Sequence, residues 1–190
     1  EVPNNPRDEA AGTRKVPFTR ELYIEKSDFA EVPPPKFQRL KPDGEVRLMG
    51  AYIVKCNEVV KDGNGEIVEI RCTADLETGN GMPADGRKVK GTIHWVSAAH
   101  AVDADLYLYD NLFTLENVND VPEGTDYLDY LNPDSLKKLT GCKLEPSLRD
   151  AKEGERFQFV RMGYYVKDRE EGRFNRIVTL KDSFAKTLQK

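Results

Sequence analysis

"EVRLMGAYIVKCNEVVKDGNGEIVEIRCT" (residues 45–73) sets apolar side chains against polar ones with a period of two. Val46, Leu48, Tyr52, Val54 and Cys56 share even positions, the pattern of a strand with one buried face. Gly50 interrupts the run and reads as a bulge or bend. "KDGNGE" (61–66) supplies a turn, and "IVEIRCT" returns with β-branched residues, so the stretch predicts a long β-hairpin.

Working outward, "ELYIE" (21–25) is strand-like, and "VPPPKF" (32–37) is too rich in proline for anything but an extended loop. "ETGNGMPADG" (77–86) reads as a flexible glycine loop without the helix that would make it a phosphate cradle. Lys88 to Val96 is expected to be a buried strand, and "ADLYLYDNLF" (104–113) another. "NPDSLKKLTG" (132–141) carries helix punctuation, with Asn132 as N-cap, Pro133 at the first position and Gly141 past the end. "ERFQFVRMGYYVKD" (155–168) alternates as one strand, and "NRIVTLKDSF" (175–184) closes the chain with a last one. Many short strands and one short helix predict an all-β protein, and 190 residues suit two packed β-barrels. The expected division is an arm or linker over 1–13, a first barrel region over 14–115, and a second over 116–190 that exchanges strands with the first.

No apolar run reaches the roughly 18 residues of a membrane helix, so no membrane role is expected. Three cysteines (Cys56, Cys72, Cys142) without a framework suggest reduced thiols and a cytoplasmic home. With His94 and His100 they show no metal-ligand spacing, so no metal site is expected. The first residue, Glu1, raises the expectation that the chain is a piece of something longer. The formal net charge is −4, yet nine acids and no base lie between Asp103 and Ser135. A basic surface therefore survives elsewhere, and a polyanionic partner is not excluded.

G-x-G-x-x-G, the G-x-x-x-x-G-K-[ST] loop and G-x-S-x-G are absent. His94, Ser97 and His100 have no triad geometry, so no catalytic residue is assigned. What remains is binding. Cations interleave with aromatics and amides at "GTRKVPF" (Arg14, Lys15, Phe18), "DGRKVKG" (Arg87, Lys88, Lys90) and "RFQFVR" (Arg156, Gln158, Arg161). Single-stranded RNA is read by such sets, which stack bases and pair with their edges, although each cluster alone is also what a solvated strand edge looks like.

"TRKVPFTRELYIEKSDF", "EVRLMGAYIVKCNEVVKD" and "DGRKVKGTIHWVSAAHA" (85–101), with "EPSLRDA" and "FQFVRMGYYVKD" later, resemble the C-terminal anticodon-binding region of glutaminyl-tRNA synthetase. That enzyme is a class I aminoacyl-tRNA synthetase. The resemblance runs from about residue 2 to 186. The corresponding region of archaeal and eukaryotic glutamyl-tRNA synthetases is similar and stands as the alternative, as does a structural barrel module that binds RNA by charge alone. The resemblance implies two β-barrels that grip the anticodon stem-loop of glutamine tRNA. It implies a parent ligase that activates glutamine with ATP in a catalytic domain, whose H-I-G-H and K-M-S-K-S type signatures this sequence lacks. The chain should then need no cofactor of its own, act as a monomer beside that catalytic domain, and not aminoacylate alone. Residue by residue, the resemblance assigns Arg14, Gln158 and Arg161 to the central uridine, and Arg87, Lys88 and Lys90 to the outer bases and backbone. The glycine loop departs from the family, and no role carries over there.

Overall fold

The computed structural model describes residues 1–117 and 119–180, and the end of the expected last strand beyond residue 180 lies outside them. The strands are β1 (Val2–Pro3), β2 (Thr13–Arg14), β3 (Leu22–Ile24), β4 (Glu45–Leu48), β5 (Ile53–Lys61), β6 (Ile67–Asp75), β7 (Thr92–Ile93), β8 (Trp95–Ser97), β9 (Val102–Tyr109), β10 (Leu136–Leu144), β11 (Arg156–Phe159), β12 (Gly163–Lys167) and β13 (Arg173–Thr179). Helical turns among the described residues are short 3-10 segments, so the all-β class holds. Two compact units divide at residues 101/102, earlier than the expected 115/116, because β9 pairs with strands that follow it.

In the first unit the sheet order is β6-β5-β4-β7, and β3 pairs with β8. The opening stretch is a three-strand meander rather than a single hairpin. Gly50, at φ 67°, sits in a turn where Ala51 N–H donates to Leu48 O at 3.0 Å, and β4 and β5 pair across it. The alternation places Val46, Leu48, Val54 and Cys56 in the core as read. Asp62 closes the β5–β6 turn by accepting from Asn64 N–H and Glu66 N–H. Phe18 packs edge-on against Tyr52 and Trp95, and Trp95 Nε1 donates to Met49 O at 3.0 Å.

Residues 1–13 are an ordered arm. β1 pairs with β2, Asp8 caps a helical turn over Glu9–Ala11, and Val2 seats against Gly50, where a Cβ would stand 2.7 Å from Val2 Cγ1.

The second unit has one sheet, β10-β9-β13-β12-β11, with a parallel β9–β13 pair at its centre. Leu106, Tyr165 and Phe174 fill its core, with Phe159 stacked on Tyr165 at 4.4 Å. The expected helix over 132–141 is instead a turn leading into β10. Asn132 Oδ1 accepts from Asp134 N–H as a turn residue, and Gly141, at φ 65°, lies in a bulge of the β9–β10 ladder. Ten residues are too few to hold a helix against a nine-residue strand of which seven pair with β9. Neither main sheet closes into a barrel, since β6 and β7 end one order and β10 and β11 the other. Each sheet draws on one unit, without the expected exchange of strands.

The segment Lys88 to Val96 is also broken. Gly91 has φ 92°, and a Cβ there would stand 1.7 Å from Gln38 O, so β7 begins only at Thr92. Gly91→Ala is expected to cost several kcal/mol, because backbone meets backbone and neither side can yield cheaply. A thermal midpoint within a degree or two of wild type, by circular dichroism, would refute this close approach.

Candidate nucleic-acid interface

Burial alternates through the basic segment of the first unit: Arg87 and Val89 turn partly inward, and Lys88 and Lys90 face solvent. Lys88, Val89 and Lys90 line one side of a cleft of about 500 Å³. Phe37, Gln38 and Arg39 line the other, with Lys41, Asp43, Glu45 and Lys55 completing the wall. Five cations thus face two carboxylates around one aromatic ring and one amide. The far wall is held by Arg39, whose Nε lies 3.4 Å from the fully buried Asp28 carboxylate and whose Nη1 donates to Ser27 O at 2.9 Å. Lys36 and Asp43, at φ 64° and 56°, carry left-handed backbone on the approaches to this wall. The cleft suits a phosphate with its base: cations for the backbone, an amide and a ring for the base.

Arg87 is placed differently from its two neighbours. Its Nε donates to Glu45 at 3.2 Å, Nη2 to Asp75 at 2.7 Å and Nη1 to Asp85 at 2.8 Å. One guanidinium against three carboxylates leaves the local balance negative, so Arg87 acts as a clamp on the glycine loop. Arg47 adds donors to Gly79 O and Gly81 O, and Thr78 is buried and donates to Asp75 O. The loop read as flexible is therefore pinned at both ends. Hydrogen bonds from the Arg87 backbone and side chain hold the Asp85 carboxyl below its ordinary value.

Arg14 lies on β2, half-buried, and its Nη1 donates to Pro3 O at 2.7 Å. The ordered arm thus positions it.

Gln158 and Arg161 belong to the second unit, where the stretch read as one strand is a hairpin. β11 and β12 pair from Arg156↔Val166 to Phe159↔Gly163, around a turn closed by Met162 N–H to Phe159 O at 2.8 Å. Gln158 is exposed on β11. Arg161 holds φ 66° at the third position of the turn, where glycine or asparagine is the ordinary occupant. A long cation is thus held in a conformation that costs a non-glycine residue.

His100 and Ser97 are structural: the buried Ser97 hydroxyl bonds His100 Nδ1 at 3.0 Å and Thr19 Oγ1 at 2.7 Å. Cys56 and Cys72 face each other across β5–β6 as free thiols, and burial pushes the Cys56 thiol up. Among the described residues no metal-ligand cluster is found, and no helix is long and apolar enough to cross a membrane. Sequence reading missed Arg39, Lys41 and Lys55. "KFQRLK" (36–41) has the same interleaving of cation, ring and amide as the three clusters singled out, and would have pointed to the first two.

Two family models, each described as tRNA synthetases class I (E and Q), anti-codon binding domain, match residues 1–75 and 92–168. The chain belongs to this family of class I synthetase anticodon-binding domains. It is 54% identical over 188 residues to a glutamine--tRNA ligase of Xanthomonas campestris pv. campestris (strain 8004), covering 96% of this chain and 32% of that protein. The glutamine--tRNA ligases of Ectopseudomonas mendocina (strain ymp) and Pseudomonas syringae pv. tomato (strain DC3000) are 51% and 48% identical over 97% of the chain, which covers 34% and 33% of their lengths. The chain thus spans about a third of the curated relatives it matches.

Two outcomes follow from this geometry. Arg87→Met should lower the unfolding midpoint at neutral pH and speed amide exchange in the glycine loop, because three carboxylates lose their common partner. A depressed carboxyl contributes stability that is complete above its unfolded value and lost as pH falls through the folded one. The share of the wild-type advantage that Asp85 carries should therefore be complete above about pH 3.8 and be lost as pH falls below it. At the turn, glycine normally destabilises relative to alanine, but Arg161→Gly should match or exceed Arg161→Ala in thermal stability, since left-handed backbone costs a non-glycine residue about 1 kcal/mol. Denaturant melts of the pair decide it; a less stable glycine variant would mean that the turn is unstrained.

Proposed function

We propose that this chain is the anticodon-binding part of a cytoplasmic glutamine–tRNA ligase and grips the anticodon stem-loop of glutamine tRNA. The observation that carries the reading is the cation-lined cleft bounded by Lys88, Lys90, Arg39 and Phe37 in a chain of this family. Lys88 and Lys90 serve the outer anticodon bases and the adjoining phosphates, with Arg39, Lys41 and Lys55 sharing the charge. Arg14, preset by its bond to Pro3 O, reads the central uridine, and Gln158 and Arg161 of the second unit contribute to anticodon recognition. Arg87 acts at one remove, by holding the extended segment that carries Lys88 and Lys90.

The relatives named glutamine--tRNA ligase support the parent's identity, and the chain spans a third of their length. Activation of glutamine with ATP belongs to the parent's catalytic domain, beside which this chain works as a monomer. The chain itself contributes binding energy and discrimination, and no catalytic residue.

Binding of a glutamine-tRNA anticodon stem-loop at two salt concentrations, against one with its central uridine replaced, tests the proposal. The expected result is a preference for uridine that survives the higher salt. Arg14→Ala should erase about 1–3 kcal/mol of that preference, by analogy with other bidentate base contacts. Lys90→Ala should weaken all sequences evenly and flatten the salt dependence. Equal, salt-sensitive binding of both stem-loops would reduce the chain to a charged surface.

A further inference from the structure

β11, β12 and β13 place Gln158, Tyr164 and Val178 in one row, since Gln158 pairs with Tyr164 and Tyr164 with Val178. Residues directly opposite on adjacent strands share a face, with Cβ atoms about 5 Å apart. The other face is the core, which takes Phe157, Phe159, Tyr165 and Phe174 in ring-to-ring contact. Of the five aromatic residues on these strands, Tyr164 alone is turned out, 42% exposed.

The ladder is altered at this row. A bulge between Tyr164 and Tyr165 inserts Ile177 as an extra residue of β13, so the successive Ile177 and Val178 are both about half exposed. Bulges of this kind re-aim side chains beside functional sites. Gly163 permits the close approach of β13, because a Cβ there would stand 2.6 Å from Val178 O. The result is an exposed apolar strip of Tyr164, Val178 and Ile177, bordered by the amide of Gln158, the cation of Arg156 and the strained turn at Arg161. A cation (Arg156) and an amide (Gln158) beside an apolar ring suit a flat π-face attached to a phosphate better than a purely apolar partner.

We infer that Tyr164 is a stacking residue for an unpaired nucleobase, with Gln158 beside it pairing to an edge of that base. The inference rests on the proposed anticodon reading and adds to it a residue and a mode of contact. Stacking supplies affinity common to all bases, and Gln158 supplies choice.

The test is binding of the wild-type chain and its Tyr164→Phe and Tyr164→Leu variants to the glutamine anticodon stem-loop and to a short unstructured oligouridine. 5-Iodouridine at the central anticodon position serves as a photo-crosslinking probe. Tyr164→Leu is expected to lose at least about five-fold in affinity for both RNAs, the lower end of a base–aromatic stack. Tyr164→Phe should stay within two-fold, with the crosslink mapping to position 164 in the wild type. Since the side chain is exposed, matching thermal midpoints for the three proteins are expected. Unchanged affinity in Tyr164→Leu, or an equal loss in Tyr164→Phe, would overturn the stack while leaving anticodon reading intact. A wild type indifferent to the central uridine, yet weakened on oligouridine by Tyr164→Leu, would sink the anticodon reading and keep the stack.

Discussion

Gly91 stands so close to the carbonyl of Gln38 that no side chain fits between them, and the first unit is arranged around that approach. It brings the proline-rich loop against the basic segment and creates the cleft between Lys90 and Gln38. It also sets β7 beside β4, where Arg47 N–H reaches Gly91 O and Met49 N–H reaches Ile93 O. Trp95 then lies where its indole N–H meets Met49 O and its ring meets Phe18. A single missing Cβ thus joins the binding wall to the core, so the placement of the cations depends on the packing rather than on loop flexibility.

Charge is handled in two ways within a few residues. Lys88 and Lys90 remain in water, where a flexible ammonium can follow a phosphate at little desolvation cost. Arg87 is committed to three carboxylates, and its rigid fork suits that task. Cations are thus left to solvent at one parity and committed to architecture at the other. The second unit makes a comparable separation with aromatic rings, keeping Phe159 and Tyr165 for the core and leaving Tyr164 outside.

The β5–β6 hairpin and the buried face of residues 46–56 were legible because their information is local: alternation and an Asp-Gly-Asn-Gly turn lie within one window, whereas the turn at Gly50 that makes β4 a separate strand reads in the sequence only as a bulge or bend. The second glycine-marked element was not legible. Asn132, Pro133 and Gly141 punctuate a helix as readily as they punctuate a turn followed by a bulged strand. The decision came from β9, which begins thirty residues earlier. The β11–β12 turn was hidden because Arg161 stands where glycine or asparagine would have marked the turn, and its backbone angle leaves no trace in residue type. In the site, the cations themselves could be read, but the engagement of Arg87 could not, since its partner Glu45 is 42 residues away. Family resemblance supplied what spacing could not, and the matched families cover both units.

The arm has a mechanical meaning. Val2 is lodged against Gly50, and its strand pairs in register with Arg14, whose guanidinium holds Pro3 O. The two ladder pairs and that bond tie Val2, Pro3 and Arg14 together, with Val2 seated on Gly50. Loosening the seat of Val2 on Gly50 would therefore slacken the ladder pair and the bond that together fix the direction of the Arg14 side chain.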